Sequence, residues 1–198
     1  MPTVAAIISA YVVGSLDFAV VVARARGVDI RTVGSGNPGA SNVLRALGKG
    51  PAIMVFVGDA LKGVIAAAMG WIVAGGGEPA IEPLAFAAGL AAVAGHAYPV
   101  FHRFKGGRGV ATGAGVLLFT VPLVSLGLAV LWFAVARVSK IAAVASLSVV
   151  AATAPLAWWA GVRGWALFWL GAILALIIFR HLPNIRRLLG GSEQKVPT

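Results

Sequence analysis

The amino-acid sequence predicts an all-α integral membrane protein. Its mean hydropathy is +0.94, and only 11% of its 198 residues are charged, too few to cover a soluble domain of this length. The apolar residues form long runs, and the basic residues cluster between those runs. We therefore expect membrane-spanning helices joined by basic loops, in one transmembrane domain that covers residues 1–198.

The apolar runs give the helices in order, because a helix needs about 20 residues to cross the hydrocarbon core. The first run has no basic residues before it, and we expect a retained helix rather than a cleaved signal peptide. The segment Gly75–Pro79 is a strong helix breaker after the second run. The runs are Val4–Val22, Ala52–Val73, Leu84–Phe101, Val110–Ala136, Ile141–Ala160 and Trp165–Phe179.

The run Val110–Ala136 is long for one helix and short for two, and charge decides between the two readings. Basic loops favour the cytoplasmic side of a membrane. If this run is a hairpin that turns near Pro122, 14 of the 16 Lys and Arg residues lie on the cytoplasmic side, Arg163 lies outside and Lys62 lies within the second helix. A six-helix arrangement puts three basic residues on unfavoured faces. The sequence thus predicts seven transmembrane helices, two of them short (about 110–136), with the N-terminus outside and the C-terminus cytoplasmic.

The net charge of +10 would suggest nucleic-acid binding in a soluble protein. Here the clusters match loops that face an anionic leaflet, so we expect membrane lipids and no nucleic acid as partners. The chain has no cysteine, which excludes thiol catalysis and thiolate metal sites.

Three polar segments fall on one side of this topology, and the first is "GSGNPGASNVLR", residues 34–45. Its glycines allow backbone N–H groups to turn inward and form a nest for an anion. A helix that begins near Ser41 or Asn42 would add free N–H groups, and Arg45 could grip a phosphate. The alternative is a flexible loop with an Asn or Ser cap.

The second segment is "GHAYPVFHRFKGGRGVAT", residues 95–112. Lys105 and Arg108 flank paired glycines, so cationic groups and bare backbone N–H groups can meet one anion. Alone, such a loop is more often a basic cytoplasmic turn. His96 is expected to be a hydrogen-bonded packing residue.

The third segment is "RHLPNIRRLL", residues 180–189. His181 and Asn184 are three residues apart and share a helix face. Arg186 and Arg187 are expected to contact lipid headgroups. Charges inside the membrane should be paired or functional. Asp59 and Lys62 are expected to pair within one helix, and Asp17 should reach a cation or hydroxyl from another helix.

Together with "DALKG" at 59–63, these segments resemble the signatures of the bacterial acyl-phosphate:glycerol-3-phosphate acyltransferases, the PlsY family. Their order, their spacing and the chain length match. The resemblance implies an inner-membrane enzyme with a cytoplasmic site, which performs the first acylation step of bacterial phospholipid synthesis. It would transfer a fatty acyl group from acyl phosphate to the 1-hydroxyl of glycerol 3-phosphate, giving lysophosphatidic acid and inorganic phosphate. It implies no metal, no cofactor and an upstream enzyme that forms acyl phosphate.

The resemblance also implies roles for individual residues. The catalytic set is His181, Asn184 and Lys105. The expected acyl-phosphate contacts are Gly34, Ser35, Gly36, Asn37, Gly39, Ser41, Asn42, Gly106 and Gly107. The expected glycerol 3-phosphate contacts are Arg45, Lys105, Arg108, Ser139, His181 and Asn184. The base stays open between His181 and the leaving phosphate.

Two positions depart from the family pattern, because Asp17 stands where proline is usual and Ala143 where serine is common. Ser139 or Ser146 could take the place of that missing serine. The rival function is a transporter of an organic phosphate. Transporters commonly carry internal repeats and midplane sites, whereas the polar segments here lie on one side. A lipid-binding scaffold would not need three phosphate-suited loops on one face.

Overall fold

The computed structural model of the chain describes residues 1–196. Within that range the chain forms α-helices and two short 3₁₀ helices, and no β-strand. Six helical segments are long and apolar enough to cross a membrane, and Val110–Thr120 is a shorter apolar helix. The predicted all-α membrane architecture is therefore confirmed. The helices are α1 (Pro2–Gly14), α2 (Phe18–Arg24), α3 (Ala40–Leu47), α4 (Lys49–Val73), α5 (Pro83–Ala97), α6 (Val110–Thr120), α7 (Pro122–Ser139), α8 (Ala142–Trp159) and α9 (Gly164–Leu189).

The first apolar run is broken, which corrects the prediction of one continuous helix over Val4–Val22. Helix α1 ends at Gly14 and α2 begins at Phe18. Asp17 caps α2, because its Oδ1 accepts a hydrogen bond of 3.1 Å from the Val20 N–H. The break therefore has a local cause that the apolar composition of the run concealed.

The polar segment 34–45 ends in a separate short helix. Helix α3 begins at Ala40, close to the predicted start near Ser41 or Asn42, but it ends at Leu47. Gly48 has φ +83°, a conformation that favours glycine, and it divides α3 from α4. The second membrane helix consequently begins at Lys49 rather than at the predicted Ala52.

The predicted hairpin within residues 110–136 is confirmed, with its turn at Val121 followed by Pro122 at the start of α7. At a rise of about 1.5 Å per residue, the 11 residues of α6 reach only about half-way through a bilayer. Helix α7 has 18 residues, the same length as α8. The expectation of two short helices thus holds for α6 alone.

Glycines let the central helices approach each other closely. A Cβ at Gly115 of α6 would collide with the Ala60 carbonyl of α4, and a Cβ at Gly63 with the Thr112 carbonyl of α6. Between α1 and α5, a Cβ at Gly14 would collide with the Ala92 backbone. Close backbone contacts of this kind stabilise helix packing in membrane bundles, where no hydrophobic driving force acts between helices.

Candidate active site

The three polar segments meet at one end of the helix bundle. Arg180 of α9 donates hydrogen bonds to the carbonyl oxygens of Gly106 and Gly107, at 2.8 and 3.1 Å. Its guanidinium also lies 4.9 Å from the centre of the Tyr98 ring. Arg31 donates to the Lys105 carbonyl oxygen at 3.0 Å. Two arginines therefore fasten the loop after α5 to α9 and to the loop before α3.

The loop before α3 is shaped by a buried amide. Asn42 Oδ1 accepts from the Ser35 N–H at 2.9 Å, and its Nδ2 donates to the carbonyls of Ile30 and Val33 at 3.1 and 3.0 Å. A Cβ at Gly34, which has φ +56°, would collide with Asn42 Oδ1. Asn42 was predicted as a ligand contact, but its amide group hydrogen-bonds to the loop backbone and stabilises the loop conformation.

The other predicted acyl-phosphate contacts of this loop lie on either side of Asn37. Ser35, Asn37 and Ser41 are half-buried. The Asn37 N–H lies 3.4 Å from Ser35 Oγ, and Gly39 adopts an extended conformation at the N-cap of α3. Gly36 has φ +68°, which keeps this turn open to glycine alone.

The paired glycines of the second segment are pressed against the end of α5. The Gly107 N–H donates to the His96 carbonyl at 3.0 Å. A Cβ at Gly107 would collide with the His96 imidazole and stand 2.7 Å from the Pro38 carbonyl oxygen. A Cβ at Gly106 would collide with the His96 carbonyl. Only glycine fits here, and the glycine pair lies directly against the 34–45 loop.

Helix α9 carries His181 and Asn184 into this end of the bundle, and both side chains are buried. His181 Nδ1 lies 2.8 Å from the Ile177 carbonyl oxygen. Because a carbonyl only accepts, Nδ1 carries the hydrogen and Nε2 has a free lone pair. Asn184 Nδ2 donates to Glu193 Oε1 at 2.8 Å, while Asn184 Oδ1 has no partner among residues 1–196.

Glu193, which lies outside the three polar segments of the sequence, organises the residues that follow α9. Its Oε2 accepts from Arg187 Nε at 2.7 Å, so Arg187 is an ion-pair partner rather than the expected lipid contact. Arg45 Nε donates to the Lys195 carbonyl at 2.9 Å, and its Nη2 to the Gln194 carbonyl at 3.3 Å. The one sequence signal was an acidic residue alone in a basic tail.

The Glu193 carboxylate also attracts two arginines from other parts of the chain, Arg45 and Arg108. Burial lowers the pKa of Arg108 to about 10, against an opposing attraction from Glu193. Burial also lowers the pKa of Arg45, again opposed by Glu193. Both guanidinium groups remain charged at neutral pH, so the site keeps its positive charge in a partly desolvated setting.

Two predicted residues stand apart from this convergence. The side chain of Lys105 is exposed, although its carbonyl is held by Arg31. Ser139 Oγ donates to the Val135 carbonyl at 2.7 Å and accepts from the Ile141 N–H at 3.2 Å. The Ser139 hydroxyl is therefore engaged in the turn between α7 and α8. Ser146, the other candidate, accepts from the Trp132 indole at 3.2 Å.

The charges within the apolar segments are paired as predicted for Asp59 and Lys62, whose Oδ1 and Nζ lie 2.6 Å apart. Asp17 reaches a cation, because its Oδ2 lies 3.3 Å from Arg31 Nη2. That cation comes from the following loop and not from another helix. Across residues 1–196, no group of three His, Asp or Glu side chains is arranged to hold a metal ion.

Comparison with known proteins gives a consistent result. The family model described as glycerol-3-phosphate acyltransferase matches residues 4–191. A protein of that name from Rubrobacter xylanophilus is 43% identical over 195 residues, which covers 93% of this chain and 90% of that protein. A Burkholderia pseudomallei protein of the same name is 44% identical over 202 residues, 99% of this chain and 96% of that protein.

The fold has a solved counterpart. The crystal structure of PlsY, described as an integral membrane glycerol 3-phosphate acyltransferase in its glycerol 3-phosphate form, superposes with a TM-score of 0.92. Its sequence is 40% identical, and the match covers 100% of this chain and 97% of that one.

Proposed function

Because the chain belongs to the glycerol-3-phosphate acyltransferase family, we propose that this acyltransferase uses acyl phosphate as its donor. It transfers the fatty acyl group to the 1-hydroxyl of sn-glycerol 3-phosphate, and the products are lysophosphatidic acid and inorganic phosphate. This is the first acylation step of bacterial phospholipid synthesis. An upstream enzyme supplies the acyl phosphate, and the reaction uses no metal and no cofactor.

The proposed topology follows from the positions of the basic loops. The multi-pass chain forms one transmembrane acyltransferase domain over residues 1–198 in the bacterial inner membrane. Helix α6 enters the membrane as the seventh, short helix beside the six longer segments. The N-terminus lies outside, and the end of the bundle that carries the three polar segments faces the cytoplasm, in agreement with the excess of Lys and Arg there.

The proposed site divides between two phosphorylated substrates. The loop from Gly34 to Asn42 and the glycine pair 106–107 hold the phosphate of the acyl donor through backbone N–H groups. Arg45, Lys105 and Arg108 hold glycerol 3-phosphate, with His181 and Asn184 next to its reacting hydroxyl. Ser139 contributes through the turn that it supports. The acyl chain lies between helices in contact with lipid.

The reaction needs positioning and charge stabilisation more than a covalent intermediate, because acyl phosphate is already activated. The 1-hydroxyl oxygen attacks the carbonyl carbon, and a new ester bond forms. The bond from that carbon to the phosphate oxygen breaks, and its electron pair leaves with the phosphate. His181 Nε2 takes the hydroxyl proton, since its Nδ1 is already bound to the Ile177 carbonyl. The leaving phosphate is the competing base.

One observation carries this proposal. Arg180 joins the glycine pair to α9, and the glycine pair contacts Pro38 in the first loop. Segments that lie far apart along the chain consequently meet at one end of the bundle, which holds backbone donors, two half-buried arginines and a histidine with a free lone pair. Two phosphorylated substrates and one proton transfer match that set of groups.

The direct test is an assay of the purified protein in detergent. Palmitoyl phosphate and glycerol 3-phosphate are mixed with the protein, and phosphate release and lysophosphatidic acid are both measured. We expect equal amounts of the two products, no reaction without glycerol 3-phosphate, and none with palmitoyl-CoA as donor. Turnover with palmitoyl-CoA would overturn the proposed donor. An absence of product in detergent, with uptake of organic phosphate by proteoliposomes, would favour a transporter.

A further inference from the structure

A cluster of three ionisable side chains lies buried next to the site and has no role in the reaction described above. Lys62 of α4 is 2% exposed. Its Nζ lies 2.6 Å from Asp59 Oδ1, 3.1 Å from His96 Nδ1 and 2.7 Å from the Leu16 carbonyl oxygen. A buried ammonium is costly unless it is paired and hydrogen-bonded, and here Asp59 supplies the opposite charge while Leu16 and His96 supply hydrogen-bond acceptors.

This arrangement decides which nitrogen of His96 carries the hydrogen. A protonated lysine can only donate, so Nδ1 of His96 must accept from Lys62. The alternative donor arrangement would send an Nδ1–H to Asp59, but that separation is 3.5 Å, beyond the usual range of a hydrogen bond. The neutral imidazole therefore carries its hydrogen on Nε2.

The Nε2–H of His96 lies where the two glycine-bearing loops meet. A Cβ on Gly107 would overlap the position of Nε2 and stand 2.7 Å from the Pro38 carbonyl. The His96 carbonyl is already occupied by the Gly107 N–H. Within residues 1–196, Nε2 itself makes no hydrogen bond, although the residue is only 8% exposed. A fixed and unused donor thus remains at the junction of the loops.

We propose that His96 binds the acyl donor, by donating a hydrogen bond from Nε2 to a phosphate oxygen held between the loops 34–42 and 105–109. Lys62 is the positioning residue that keeps the hydrogen on Nε2, and Asp59 balances the charge of Lys62. This inference rests on the proposed use of acyl phosphate. His96 does not compete with His181 as a base, because its Nε2 has no lone pair to offer.

The kinetic test compares His96→Ala with His96→Gln, since a glutamine amide can place an N–H near the position of Nε2. A hydrogen bond to a charged group corresponds to a change of roughly 10- to 100-fold. We expect His96→Ala to raise the KM for palmitoyl phosphate by about that factor, with the KM for glycerol 3-phosphate near that of the wild type. The inhibition constant of inorganic phosphate, measured against palmitoyl phosphate, should rise in parallel, and His96→Gln should recover most of both.

Equal constants in wild type and His96→Ala would overturn the inference, as would a glutamine variant no better than the alanine variant. Wild-type turnover of palmitoyl phosphate distinguishes a failure of the proposed donor from a failure of the proposed role of His96. Its absence would remove the proposed donor, whereas its presence with an unaffected alanine variant would remove only the role of His96.

A spectroscopic test does not depend on activity. The chain has three histidines, so ¹⁵N-histidine labelling gives three imidazoles, and His96→Ala identifies the signals of His96. We expect the hydrogen on Nε2 in the wild type. In the double variant Asp59→Asn/Lys62→Met, which removes both charges together, we expect a mixture of tautomers and a several-fold higher KM for palmitoyl phosphate. A wild-type His96 with its hydrogen on Nδ1 alone would overturn the inference.

Discussion

His181 and His96 are both buried imidazoles at the same end of the helix bundle, yet their Nε2 atoms have opposite character. His181 Nδ1 contacts a backbone carbonyl, which leaves a lone pair on Nε2. His96 Nδ1 contacts the Lys62 ammonium, which leaves a hydrogen on Nε2. The neighbour of Nδ1 therefore sets the chemistry of Nε2, in agreement with the proposed roles of His181 as proton acceptor and of His96 as hydrogen-bond donor to an anion.

Replacing the proposed proton acceptor, His181, should reduce activity most. His181→Ala should lower kcat by about 10²- to 10⁴-fold with both substrates saturating, because a positioned base contributes on that order. The matched control is His102→Ala, which changes a half-buried histidine in the loop after α5 and should keep wild-type turnover. Near-normal turnover of His181→Ala would assign the proton to the leaving phosphate and would contradict the proposed role of His181 as the base.

A smaller loss of activity is expected when the His96 imidazole is displaced from its place beside Gly107. A methyl group at Gly107 would collide with the His96 imidazole and with the Pro38 carbonyl, so Gly107→Ala should lower kcat/KM by about 10²-fold. Gly127→Ala is the control, since a Cβ there meets nothing within 4 Å. Full activity in Gly107→Ala would show that the close contact with His96 has no part in substrate binding.

The third prediction concerns Asp59, whose carboxylate balances the charge of Lys62 next to His96. Asp59→Asn leaves a buried ammonium without its counter-charge, a change that costs about 3–5 kcal/mol of stability when one partner of a buried pair is removed. We expect the melting temperature in detergent, followed by tryptophan fluorescence, to fall by roughly 6–20 °C. An unchanged melting temperature would mean that Lys62 is neutral, and then its hydrogen bond would not fix the His96 tautomer.

The smallest effect should come from the ion pair that neither histidine contacts. Asp17→Asn keeps a good helix cap for α2 but removes the charge opposite Arg31. Because Arg31 is 27% exposed, water screens this pair, and we expect a loss of at most about 1 kcal/mol. A melting temperature as low as that of Asp59→Asn would contradict the distinction between the buried and the screened pair.

Local rules predicted the elements whose cause lies in neighbouring residues. Pro122 marked the hairpin turn, and the spacing of Asp59 and Lys62 predicted their ion pair, because both depend on residues a few positions apart. These features needed no knowledge of the tertiary structure.

Three features were not predicted from the sequence, and two of them depend on contacts that form only in the folded chain. His96 is the hydrogen-bonded packing residue that was expected, but the sequence did not identify its partner Lys62, which lies on another helix. Glu193 was missed because its partners Asn184 and Arg187 are brought to it only when the tail folds back over α9. The break after Gly14 was missed because hydropathy averages over the run and hides one capping aspartate.

That break has a consequence for how the protein enters the membrane. The Leu16 carbonyl lies between two helices, and Lys62 of the next long segment satisfies it at 2.7 Å. An isolated segment 2–24 would present this carbonyl to lipid, where an unsatisfied polar group is costly. Membrane insertion of α1, α2 and α4 should therefore be cooperative. We expect the segment 2–24 to leave the translocon for lipid only after α4 has emerged beside it.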